Sequence, residues 1–147
     1  MTASYADSSF LVSLHSDDAN AGAARRFMAR HPEELPFNPL HRLEVFNGLR
    51  LAVFRGQMTR EDRAAALRQV EEDIADSVLV HQAMPWTEAL RKAETLSAAH
   101  AERLGSRSAD TLHVAAAILA GAKRFLSFDS RQRALAKAAG LEVKPSI

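Results

Sequence analysis

The stretch SRSADTLHVAAAILAGAKRFLSFDSRQR, residues 106–133, decides how the rest of the chain is read. Ser106 or Ser108 opens a helix that carries Asp110 in its first turn, and Gly121 stops it. A short buried strand follows over residues 124–128, and Asp129 comes directly after it. A helix-to-strand unit that delivers one carboxylate at a helix start and another at a strand end suits a cation-binding cleft. Two further acids lie far upstream: Asp7, after the first apolar strand, and Glu44, within a helix.

Working outward, residues 4–6 read as a strand ending at Asp7, and residues 8–15 as a brief helix with Phe10, Leu11 and Leu14 inward. A helix over 19–31 ends before Pro32, and residues 34–37 form a second strand. Asn38 followed by Pro39 is a strong helix start, an acceptor side chain followed by a residue that needs no donor. The helix over 39–55 is apolar on most sides. At about 100° per residue Glu44 and Asn47 share a face with Leu40 and Leu51, so a carboxylate falls on an apolar stripe. Thr59 with Asp62 resembles a capping box for a helix over 60–75. Residues 77–81 are a third strand. A helix over 86–103 has Trp86, Ala89, Leu90, Ala93 and Leu96 as its core face and closes at Gly105. Beyond the central unit, a helix over 130–139 ends at Gly140, and residues 141–144 make a last strand.

Short apolar strands alternating with helices predict an α/β fold: a short, mostly parallel sheet covered by helices on both faces, in one domain over residues 1–147. In such sheets functional groups gather beyond the carboxyl ends of strands, where Asp7 and Asp129 fall. The chain of 147 residues is 47% hydrophobic and 25% charged, as a globular core requires. Its formal net charge of +1 leaves any nucleic-acid contact to a local basic patch. With no cysteine, disulfides and thiolate metal sites are excluded, and a reducing cytoplasm is the expected setting. No signal-like segment opens the chain, and the apolar run over 114–122 is too short to span a bilayer. The expectation is a soluble, intracellular protein.

Singly, each acid has a plain structural explanation. Asp7 and Asp129 read as helix N-caps, Asp110 as a first-turn acid favoured by the helix dipole, Glu44 as a side chain tilted to solvent, and His113 as a core histidine. Jointly the pattern is more specific. Two unpaired carboxylates about 4 Å apart repel by roughly 4 kcal/mol at an effective dielectric of 20. Four in one pocket therefore need raised pKa values or a bound cation. Oxygen-only ligation favours Mg²⁺ or Mn²⁺ over Zn²⁺.

These segments together resemble a PIN-domain ribonuclease of the VapC toxin type over nearly the whole chain. Asp7-Ser8-Ser9 follows the first strand. Glu44 lies in L-H-R-L-E-V-F-N-G-L, Asp110 and His113 in D-T-L-H-V-A-A-A, and Ser127 and Asp129 in L-S-F-D-S-R-Q. Serine at 127 stands where threonine is commoner in the family. The resemblance implies a three-layer α/β/α PIN-like fold and a Mg²⁺- or Mn²⁺-dependent endoribonuclease leaving a 5′-phosphate and a 3′-hydroxyl. Asp7 and Asp110 would be the main metal ligands, Glu44 and Asp129 would complete the set, and Ser9 and Ser127 would orient carboxylates. It also implies an RNA substrate, a cognate antitoxin and a homodimer. Arg25, Arg26, Arg42, Arg50, Arg107 and Arg131 are candidates for a basic rim. Two other classes remain. A phosphatase of the haloacid dehalogenase type wants Asp-x-Asp after the first strand, and position 9 is Ser. A non-catalytic PIN-fold binding module would be expected to lack one or more of the acids, and all are present.

Overall fold

The structure is a computed structural model that describes residues 3–147. Five three-residue strands alternate with seven helices among these residues, and every strand pairing is parallel. The expected α/β class is the one observed. The chain divides into two compact units, one formed by the residues up to Asp7 with Ala83–Ile147, the other by Ser8–Gln82.

The first unit is built on a three-stranded sheet in the order β1-β4-β5, where β1 is Ser4–Ala6, β4 Arg124–Leu126 and β5 Glu142–Lys144. Ser4 stands opposite Arg124 and Ala6 opposite Leu126. The helices of this unit are α5 (Trp86–Leu104), α6 (Ser108–Leu119) and α7 (Ser130–Ala138). Tyr5, Phe125, Val114, Leu135 and the run Ala115, Ala116, Ala117 share one core with Ala93 and Leu96. The small side chains of α6 let α5 pack close. This explains a departure from the expected core face of α5. Ala89, Ala93 and Leu96 are buried, but Trp86 and Leu90 are exposed, because the helix presents its narrow alanine line to its neighbour. Gly105 ends α5 at φ 69°, a left-handed position that suits glycine.

The second unit carries α1 (Ser8–Leu14), α2 (Ala21–Arg30), α3 (Pro39–Phe54) and α4 (Arg60–Ala75), with β2 (Leu35–Phe37) paired to β3 (Leu79–His81). The sequence-predicted starts hold. The Asn38 side chain accepts from the backbone of His41, whose ring in turn accepts from Asn38 N–H. Thr59 accepts from Asp62 N–H, half of the expected box. Strand β3 begins two residues later than expected because Ser77 takes a positive φ of 58° in the turn after α4. Within its unit α3 buries His41, Val45 and Leu49, while Leu43 and Phe54 are 68% and 86% exposed. In α1 and α4, His15 Nε2 lies 2.6 Å from Asp73 Oδ2 while its Nδ1 meets Leu11 O at 2.8 Å.

Candidate active site

The carboxyl ends of β1, β4 and β5 are held level by the ladder itself. Asp7 N–H donates to Leu126 O, and Ser127 N–H to Lys144 O, each at 3.0 Å. Strand termination therefore delivers Asp7 and Ser127 side by side. The Ser127 hydroxyl donates to Asp7 Oδ2, and its oxygen accepts from Asp129 N–H at 3.0 Å. Asp129 then caps α7 by accepting from Gln132 N–H at 2.9 Å. Asp7, Ser127 and the Asp129 backbone N–H are thus joined in one connected chain. Behind it, Arg133 donates to the carbonyls of Ser127 and Pro145, both at 2.8 Å, and burial holds its guanidinium below the ordinary pKa.

Asp110 sits in the first turn of α6. Ser108, one of the two expected openings, is the first residue of this helix, and the residue that caps it is Arg107. Arginine has no acceptor to offer the helix, so the capping contact runs the other way. Asp110 Oδ2 accepts from Arg107 N–H at 2.9 Å, and the Arg107 side chain approaches the same oxygen at 3.5 Å. Asp7 and Asp110 are only 3% and 7% exposed. Carboxylates so buried call for compensating charge or hydrogen bonds.

Glu44 belongs to the second unit. Its Oε1 accepts from the Ser8 hydroxyl at 2.9 Å. Ser8, which the sequence reading did not single out, makes this contact, while Ser9, the serine it named, is exposed on α1. The signal for Ser8 was its place as the first residue of α1, directly after Asp7. His113 is buried, its Nδ1 sharing a 2.8 Å hydrogen bond with Tyr5 Oη. Among the candidate rim arginines, Arg25 engages Asp17 and Arg42 engages Glu71, and Arg50 lies 5.9 Å from the Phe46 ring. Arg107, two-thirds exposed, stands beside Asp110.

Among the described residues no group of three or more His, Asp or Glu side chains is arranged to hold a metal ion. The donor chemistry nevertheless fits a hard divalent cation. All four acids offer oxygen, and each has one oxygen fixed by a protein donor, as oriented ligands do. Removing the Ser127 hydroxyl tests this support. Ser127→Ala takes a donor from buried Asp7 and an acceptor from Asp129 N–H, and is expected to lower stability by about 1–3 kcal/mol in urea denaturation.

No helix among the described residues is long and apolar enough to cross a membrane. Comparison with solved structures finds VapC20 of Mycobacterium tuberculosis, a sarcin–ricin loop cleaving toxin, at a TM-score of 0.71 and 20% identity. The alignment covers 97% of this chain and 100% of that one. PAE2754 from Pyrobaculum aerophilum superposes at a TM-score of 0.61 and 22% identity, over 97% of this chain and 89% of that one. Such identities speak to the fold alone. Comparison with curated proteins gives no match. The family model of the PIN domain matches residues 4–138, most of the length over which the strand-end acids and α6 are laid out, and the chain belongs to the PIN domain family.

Proposed function

We propose that this chain, as one domain over residues 1–147, is a Mg²⁺- or Mn²⁺-dependent endoribonuclease and the toxin component of a toxin–antitoxin pair. PIN domains are in general nucleases, and the fold shared with a VapC toxin supports this reading. The observation that carries it is the run Asp7–Ser127–Asp129 at the strand ends, together with buried Asp110 at the start of α6.

In this reading Asp7 and Asp110 are the main ligands of the cation, and Glu44 and Asp129 complete the set directly or through water. The chemistry such an ion supplies when bound is neutralisation of phosphate charge and activation of water. The protein's own part is orientation. Ser127 fixes the Asp7 carboxylate, the Arg107 backbone N–H fixes that of Asp110, and Ser8 fixes that of Glu44. Because these groups are set before substrate arrives, little reorganisation is needed during reaction. The exposed Arg107 side chain is placed to meet a phosphate that the acids would otherwise repel. The partners in this reading are RNA, a cognate antitoxin and a second copy of the chain, and the setting is the cytoplasm.

Purified protein incubated with structured and single-stranded RNA, in Mn²⁺ or in EDTA, tests the proposal. The sarcin–ricin loop cut by VapC20 is a natural first structured probe. Cleavage is expected only with Mn²⁺, leaving 5′-phosphate and 3′-hydroxyl ends. Equal cleavage in EDTA, or none under either condition, would overturn it.

A further inference from the structure

Tyr5 and His113 form a buried polar pair that the ligand set does not use. Their hydrogen bond of 2.8 Å joins β1 to α6, with ring centroids 5.9 Å apart, and Tyr5 also stacks on Phe125 at 5.8 Å. An apolar pair would hold strand and helix together while tolerating a slide between them. A directional bond between two buried polar groups does not, since slippage breaks it.

The positions of the two residues give that bond a consequence. Along β1, Tyr5 and Asp7 are two residues apart, and side chains with that spacing project from the same side of a strand, about 6.6 Å apart. Along α6, Asp110 and His113 are three apart and share a helix face, separated by about 4.5 Å of rise. Strand β4 runs parallel to β1, α6 is joined to β4 by only four residues, 120–123, and Val114, Ala115 and Ala117 of α6 share one core with Tyr5 and Phe125. Asp7 follows Tyr5 by two residues and Asp110 precedes His113 by three, so the Tyr5–His113 bond lies one such step from an acid along each element.

We infer that Tyr5 and His113 are positioning residues that set the register of β1 against α6, and so the approach of Asp7 to Asp110 as a pair of cation ligands. The inference rests on the metal-dependent reading above. Its test is direct Mn²⁺ binding by calorimetry on the intact protein, with Asp110→Asn as the reference for loss of a ligand. Melting temperature and the separate kcat and KM for RNA are measured alongside.

Tyr5→Phe, which keeps the ring and its stacking, and His113→Leu are each expected to weaken Mn²⁺ binding by about 10-fold, the range seen when a ligand's support is removed. The loss should appear in kcat more than in KM for RNA. The double variant should bind within about twofold of the weaker single variant, since both remove the same bond. His113→Asn, whose amide reaches the region of Nδ1, should recover most of the affinity. If Tyr5→Phe and His113→Leu bind Mn²⁺ like the parent while Asp110→Asn does not, the register role is wrong and the metal site stands, whatever happens to the melting temperature. A His113→Asn variant as weak as His113→Leu also overturns it. If the parent and Asp110→Asn bind alike, the metal site itself falls and this inference with it.

Discussion

Asp110→Asn is expected to reduce Mn²⁺-dependent RNA cleavage by at least about 100-fold, the scale of losing a main electrostatic contributor to the transition state. The fold should survive unchanged or slightly stabilised. Asn can still accept the Arg107 N–H bond that Asp110 makes, so the start of α6 keeps its contact. The change removes a buried negative charge, whose desolvation costs stability. Asp7→Asn should behave alike, since an amide oxygen can accept from Ser127 as Asp7 Oδ2 does. Cleavage of labelled RNA, with calorimetric unfolding on the same samples, separates the two effects. Full activity in Asp110→Asn would remove that residue from the ligand set.

Phe125→Ala is expected to produce the largest loss of stability, about 3–5 kcal/mol. Phe125 lies in the middle of β4, the central strand of its sheet, with no exposed surface and the Tyr5 ring stacked on it at 5.8 Å. The surrounding core is rich in alanine: Ala93, Ala115, Ala116, Ala117 and Ala136. Such short side chains have no spare reach with which to close a void. Against a total stability of roughly 5–15 kcal/mol, the variant loses a large share of its margin. The transition in urea or heat should move accordingly, by roughly 10 °C or more in melting temperature. A shift of under about 1 kcal/mol would mean that the core repacks around the gap.

The places where the sequence was legible share a cause. Asn38-Pro39, Thr59, Gly105 and Gly121 carry their conformational preferences within one or two residues, and the elements they bound appear within a residue or two of expectation. Asp7 and Asp129 were legible because a strand end dictates where the next side chain emerges. What was not legible depends on partners distant in sequence. The cap of α6 is an exception: Arg107 has a local partner, the Asp110 carboxylate three residues on, but its side chain carries no N-cap acceptor to mark it. Nothing local marks Ser8 as the donor to Glu44, 36 residues away. On α5 the large apolar side chains Trp86 and Leu90 invited burial, but contact with the alanine face of α6 chose the smaller residues instead.

The pairing of Ser4 with Arg124 spans 120 positions, and β1 takes β4 as its neighbour. During synthesis the first strand must wait for most of the polypeptide to leave the ribosome before it can find its place. A nascent or truncated product that ends short of β4 lacks Ser127 and Asp129, and with them the hydroxyl that donates to Asp7. Long-range topology therefore makes synthesis through β4 a precondition for joining Ser127 to Asp7, a built-in delay between making the first strand and fixing the carboxylate at its end.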